Sequence, residues 1–503
     1  MSELGWSPPA PEQALPAPDE ADNVSYNPSI DRLRSMAQHA ATETEFGAPS
    51  FVSKYRSRAA DRTSNTIDDR FGAADYQYLE RVLEIAHSRQ MICIDRKLGR
   101  DESCSFVCRY YVPREYARNA LGLATLFEPA APGSEPDFLT VQIPDTDDVA
   151  IRVVPETGMT AVLGTDYTGE AKKSFLRLFM LEAKRRGGLG LHAGSKRVTV
   201  ADTAGEHRTV GQLFLGLSAT GKSTLTAHDL DLEPPASASM VQDDVCALLP
   251  DGTVRGSEGN GLYVKTHGLD PDAEPALYEA VTHESAVLEN VDVDSSGRVD
   301  FDSDCHTTNG RAAIRRKHLS SADTNIDLSS VGQLFFITRN PLMPPVIKLG
   351  PDEAAAAFMC GESIETSAGD PSRAGESVRV VGTNPFIIGD PGAEGNRFRE
   401  LIQQLDIDCF VLKTGTIGNG AKDIEVADTV TIVRELARGT VSWREDKTSK
   451  YVVADTVPGL QMTEYRVRTY VDNYESRLQD LRNERQAYLA SFDSLAEEVK
   501  TGF

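Results

Sequence analysis

A chain of 503 residues, 40% of them hydrophobic, is too long for one ordinary core and too apolar to be disordered, so two soluble domains are expected. A net charge of -24 repels nucleic acid and anionic membranes, and no run of about 18 apolar residues offers a membrane span, so neither is expected as a partner. The charge is spread along the chain, and arginine outnumbers lysine by more than two to one. It reads as an acidic cytosolic enzyme or, as the favoured alternative, as adaptation to a high-salt cytoplasm.

The first residues lack a basic stretch followed by an apolar one, so a secretory signal is not expected and a cytoplasmic protein is. Residues 1–28, rich in Pro, Ala and acid, predict a disordered tail. Residues 29–48 predict weakly amphipathic helix, and YQYLERVLEIAHSR from Tyr76 a firm one. MICIDRKLG is then a strand turning at Gly99, SCSFVCRYYV a second strand, and REYARNALGLATLF a helix. Cys104 and Cys108 have no partner pair, so neither zinc nor a disulfide framework is expected from the seven cysteines. FLTVQIP, VAIRVVP and TAVLG read as short strands, and KKSFLRLFMLEAKRRGG as a helix stopped by its glycines.

RVTVADT and TVGQLFLGLS predict two strands, the second running into GLSATGKSTL. Strand, glycine-rich loop and helix together make the context of a phosphate-binding P-loop, here Gly216, Leu217, Ser218, Ala219, Thr220, Gly221, Lys222, Ser223 and Thr224. Glycines let backbone N–H groups turn toward phosphate, Lys222 supplies a point charge, and the Ser223 hydroxyl can ligate Mg²⁺. The next strand, MVQDDVCALL, ends in Asp243 and Asp244, which can hold a divalent metal near the phosphates. GQLFFITRN and DCFVLKTG add strands, and the charged segment from Tyr474 to Lys500 predicts a helix with a solvated face. By themselves the double lysine of TDYTGEAKK and His192 of GLGLHAGSK read as a solvated helix turn and an ordinary histidine.

The motifs YTGEAKK, LHAGS, GLSATGKSTL, QDDVCAL and EGNGLYVK, followed by AVLENV, TTNGR, PLMPPVIKL, TNPF and TGTIGNGAK, stand in an order that resembles ATP-dependent phosphoenolpyruvate carboxykinases across residues 80–440. The resemblance implies an α/β, two-domain carboxykinase-like fold with a P-loop mononucleotide-binding domain. Residues 29–190 would form the substrate-side domain and 191–503 the nucleotide domain, with the active site in the cleft between them. It implies that Lys173, His192 and Asp244 bind Mn²⁺, and that Lys222, Ser223 and Asp243 serve the triphosphate and Mg²⁺. Lys265 would approach the transferring phosphoryl group, Arg311 would bridge substrate carboxylate and γ-phosphate, and Tyr167 would line the acid site. The implied reaction of the monomeric enzyme takes oxaloacetate and ATP to phosphoenolpyruvate, ADP and CO₂, in gluconeogenesis.

Several positions depart from the family pattern. Its GRSPKDK stretch has no clean copy; YRSRAADRTSN offers Arg56, Arg58 and Arg62 for the substrate carboxylate. Ala219 replaces a loop glycine, Ala193 a cysteine and Asp423 an arginine, TGTIG lacks the family's tryptophan, and EGNGLYVK is one residue longer. Two alternatives remain open at this stage: a kinase on the same scaffold that phosphorylates another hydroxy or keto acid without decarboxylation, and a non-catalytic nucleotide-binding regulator.

Overall fold

A computed structural model describes residues 15–54, 62–217, 220–272, 274–364, 377–418 and 420–502. The chain divides into two compact units, Met1–Phe179 with Ser257–Ser320, and Met180–Gly256 with Ser321–Phe503. This corrects the expected single crossing near residue 190. The chain passes from the first unit to the second within the helix Thr168–Arg185, and residues 257–320 return to the first. Sheet pairing is the cause. Gly261–Lys265, Arg311–Arg315 and Val287–Glu289 join Pro49–Phe51 and Thr42–Glu43 in one five-stranded sheet.

The larger sheet of the first unit has eight strands, and its main path runs Val24–Tyr26, Met91–Leu98, Phe106–Pro113, Phe138–Ile143, Met159–Leu163, Ala150–Val154, Thr63–Asn65. Met91–Leu98 and Phe106–Pro113 pair antiparallel. The chain reverses at Gly99, whose φ of +69° and approach to the Cys104 carbonyl leave no room for a Cβ. Helix Ala73–Ser88 turns Leu79, Val82 and Ala86, spaced for one helical face, onto Cys93, Tyr111, Leu139, Val141 and Ala161.

The expected tail of residues 1–28 is also corrected where it is described. Val24–Tyr26 pairs in parallel with Met91–Cys93, Leu15 is buried, and the Tyr111 hydroxyl donates to the Pro16 carbonyl at 2.8 Å. A sheet edge and a buried phenol that needs an acceptor capture a segment whose composition suggested disorder. Residues 1–14 lie outside the described residues.

The second unit is built on an eight-stranded mixed sheet in the order Ser237–Gln242, Ala193–Ala201, His207–Leu215, Gln333–Thr338, Asp408–Lys413, Val346–Leu349, Val452–Thr456, Ser442–Glu445. His207–Leu215, Gln333–Thr338 and Asp408–Lys413 run parallel to one another at its centre. Phe214, Phe335, Phe410 and Trp443 stack in succession at 5.0, 5.4 and 5.6 Å between centroids. Helix Val426–Arg438 covers this face with Val430, Val433 and Leu436 and ends at Gly439, φ +73°.

The solvated face expected of the last helix is corrected. Tyr474–Ala490 buries Tyr474, Leu478, Leu481, Arg485 and Leu489. These recur every three to four residues, and Arg485 pairs with buried Glu362 at 2.9 Å instead of facing water. Among the described residues no helix is long and apolar enough to cross a membrane.

Candidate active site

In the second unit the P-loop begins where the central strand His207–Leu215 ends. At Gly216 a Cβ would lie 2.5 Å from the Thr220 hydroxyl, which itself donates to the Leu217 carbonyl at 2.8 Å, so only glycine lets the chain fold back there. The end of the strand Asp408–Lys413 also holds the loop, since the Thr414 hydroxyl donates to the Thr220 carbonyl at 2.8 Å. Gly221, φ +99°, then turns the chain into the helix Lys222–Ala227, with Ser223 exposed in its first turn. Ser218 and Ala219 lie outside the described residues.

The helix is fixed from below by Ala193–Ala201. A Cβ at Gly194 would meet the Thr226 side chain at 2.2 Å. Lys196, wholly buried, donates through Nζ to the carbonyls of Leu225 and His228 at the far end of the helix. Burial pulls its ammonium down to about 7. A neutral amine carries two N–H donors, which matches the two carbonyls it serves.

His192 sits between the strands Leu189–Leu191 and Ala193–Ala201. Its Nδ1 is 2.6 Å from the Thr383 carbonyl oxygen. That oxygen can only accept, so Nδ1 carries the proton and Nε2 presents its lone pair. Nε2 lies 3.2 Å from Lys222 Nζ and 3.1 Å from Asp244 Oδ1, with Lys222 Nζ and Asp244 Oδ1 4.0 Å apart. An imidazole lone pair and a carboxylate oxygen so close are two acceptors that only a shared cation or proton reconciles. Nδ1–H bound to a carbonyl is also the arrangement that orients a metal-ligating histidine. Beside them Asp243 has a buried Oδ1 with no hydrogen-bond partner, a second oxygen suited to a cation or its waters. The donor set therefore fits a divalent metal.

In the first unit a cationic and aromatic group surrounds the start of helix Thr168–Arg185. Gly169 permits the Tyr167 ring to fold over that turn, since a Cβ would lie 2.3 Å from the ring. Lys173 Nζ stands 5.7 Å from the Tyr167 centroid and 3.6 Å from Glu170. Lys172 is not in a solvated turn; it is buried, paired with Glu258 at 3.1 Å and 5.6 Å from the Tyr263 centroid. Lys265 and Arg311 are directly opposed in the antiparallel register, and Arg311 is opposed on its other side by Glu289. Arg311 Nη2 donates to Asn309 Oδ1 at 2.9 Å, and the Asn309 amide donates to the Tyr167 hydroxyl at 3.4 Å. Tyr167, Lys172, Lys173, Lys265 and Arg311 thus belong to one unit, and His192, Lys222, Ser223, Asp243 and Asp244 to the other. Arg56 and Arg58 lie outside the described residues. The Arg62 carbonyl accepts from Arg152 Nη1 at 2.9 Å.

Sequence reasoning missed the supports of both groups. Glu289 accepts from Arg118 Nη1 at 2.8 Å, the Ser53 hydroxyl at 3.0 Å, the Thr168 amide at 3.2 Å and the Tyr263 hydroxyl. Burial first, and the Glu289 carboxylate next, hold the Tyr263 phenol well above its ordinary range. AVLENV and EGNGLYVK marked Glu289 and Tyr263 as motif positions without giving them a task.

The sequence profile of the phosphoenolpyruvate carboxykinases, in their ATP-dependent form, matches residues 24–463. The chain belongs to this family. It is similar to the phosphoenolpyruvate carboxykinase (ATP) of Aeropyrum pernix, 35% identical over 94% of this chain and 96% of the relative. The phosphoenolpyruvate carboxykinase (ATP) 1 of Salinibacter ruber is 27% identical over 84% of this chain and 80% of its own. That of a Chelativorans species is 30% identical over 60% and 55%. The mixed α/β architecture agrees with membership of the ATP-dependent carboxykinase family.

Proposed function

We propose that the groups around Lys222 and around Lys173 carry out the carboxykinase reaction of oxaloacetate and ATP to phosphoenolpyruvate, ADP and CO₂. The observation that carries the residue-level reading is the meeting of His192 Nε2, Asp244 Oδ1 and Lys222 Nζ within 4.0 Å at the start of the P-loop helix.

Lys222 and the loop amides bind the β- and γ-phosphates, where the lysine offsets charge on the transferring group. Ser223 and Asp243 would hold Mg²⁺ on the phosphate side. His192, Asp244 and Lys173 would hold Mn²⁺. A lysine serves there only as the neutral amine. A cation so held supplies a Lewis acid that stabilises negative charge on substrate oxygens. Tyr167 and Arg311 orient the acid, Arg311 through its carboxylate. One of Arg56, Arg58 and Arg62 would supply a further cation for that acid. The bond between the leaving carboxylate carbon and its neighbour breaks, CO₂ departs, and the electron pair is left as an enolate of pyruvate. Its oxygen attacks the γ-phosphorus and ADP leaves, while Lys265, Lys222 and Arg311 offset the charge spread over the phosphoryl oxygens.

On this reading the enzyme works as a cytoplasmic monomer that supplies phosphoenolpyruvate for gluconeogenesis. Its acidic surface, at a net charge of -24, supports operation in concentrated salt. The test is an assay in high salt with oxaloacetate, ATP, Mn²⁺ and Mg²⁺, in which phosphoenolpyruvate and CO₂ appear in equal amounts. ATP binding with neither product would overturn the reading and favour a nucleotide-binding regulator. Phosphorylation of a different acid without CO₂ would favour a small-molecule kinase.

A further inference from the structure

The loop that leads to Arg311 holds three side chains that the phosphoryl-transfer reading does not use. Strand Asp292–Val293 pairs antiparallel with Val299–Asp300. The chain then folds back on itself, with the amides of Asp302 and Ser303 donating to Asp300 Oδ1 at 2.9 and 3.2 Å, and the Cys305 amide to the Ser303 hydroxyl at 3.3 Å. These turns bring Cys305 Sγ and a ring nitrogen of His306 beside the Asp292 carboxylate, all within 4.8 Å of one another.

We propose that Asp292, Cys305 and His306 form a binding site for a soft divalent cation of the zinc class. The ligand chemistry selects it. A thiolate and an imidazole favour zinc or cobalt, whereas magnesium, calcium and manganese prefer all-oxygen sets. Zinc bonds of about 2.0–2.3 Å put tetrahedral ligand atoms roughly 3.3–3.7 Å apart, a contraction that side-chain torsions supply. The fourth position is left to water. Cys305 is exposed and the other two residues are partly so, which gives a cation its entry path. The other six cysteines are buried, and for five of them burial raises or helps hold the thiol in its neutral form. Metal binding here pins the segment that carries Asn309, whose side chain contacts both Arg311 and Tyr167.

The full-length reduced protein, freed of transition metals and kept in excess Mg²⁺, is titrated with Co²⁺. One equivalent should produce a thiolate-to-cobalt charge-transfer absorption, which His192 and Asp244, lacking sulfur, cannot give, and Zn²⁺ should displace it. Cys305→Ser should abolish the band, and His306→Ala should weaken binding by at least about tenfold, both with an unchanged unfolding midpoint. Absence of the band in the unmodified protein, or its survival in Cys305→Ser, would overturn the assignment.

Discussion

His192 directs its Nδ1–H at the Thr383 carbonyl, 2.6 Å away and 191 positions along the chain, and thereby aims the Nε2 lone pair at Lys222 and Asp244. A backbone oxygen on one loop therefore decides which nitrogen of an imidazole on another faces Lys222 and Asp244.

If that aim serves catalysis, His192→Ala and Lys222→Ala should each lower kcat at least about a thousandfold, roughly 4 kcal/mol of transition-state stabilisation. Neither should lower the unfolding midpoint greatly, because both side chains reach into a partly open site. In His192→Ala the dependence of residual activity on Mn²⁺ concentration should also shift. Near-normal turnover with unchanged Mn²⁺ dependence would remove His192 from the metal set.

Lys196 gives the P-loop helix a pH dependence of its own. Its folded-state value of about 7 lies below the ordinary 10.5, so between those values the unfolded chain binds the extra proton and stability rises with pH. Below about pH 7 the ammonium is charged in both states and this contribution reaches its least favourable level. Denaturant melts of the native chain and of Lys196→Met across pH 6–10 should therefore diverge in favour of the native chain as pH rises. Parallel curves would refute the assignment.

Glu362 titrates in the opposite direction. Burial opposes its ionisation, yet Arg485, Asn340 and Arg379 outweigh that and hold it near 2 against an ordinary 4.5. Its contribution is complete above about pH 4.5 and is lost as pH falls toward 2. Arg485→Met leaves a buried carboxylate with one arginine fewer and should cost about 3–5 kcal/mol at neutral pH, measured by urea unfolding. Much of that loss should be recovered by pairing the change with Glu362→Gln.

Self-repulsion at a net charge of -24 predicts a strong dependence on salt. The unfolding midpoint should climb steadily between dilute buffer and molar KCl, with most of the gain at low concentration, where screening changes fastest. A flat profile would favour an ordinary acidic enzyme.

The parts of the site legible in sequence were those whose chemistry lies within a few consecutive residues. Gly221 and Lys222 close the short loop that follows one strand, and Asp243 and Asp244 come directly after another, so spacing alone singled them out. Thr383, Glu289 and Arg118 gave no such signal, because their tasks depend on partners 171 to 191 positions away. Lys196 stands just before the predicted strand RVTVADT and drew no reading, yet pleat and packing bury it under a helix that starts 26 residues later. The last helix misled for a related reason: an arginine inside its apolar stripe disguised a face that is buried against the core. The return of residues 257–320 to the first unit was invisible for want of any composition break at either crossing.

That return constrains how the polypeptide is made. The strand Pro49–Phe51 pairs with Val287–Glu289, so it leaves the ribosome more than two hundred residues before its partner exists. The P-loop strand and its helix are synthesised in the interval, while the five-stranded sheet still has an open edge. Nascent chains halted near residue 250 should thus carry an unfinished, aggregation-prone first unit, and no single cut in the gene can release either unit as an intact piece.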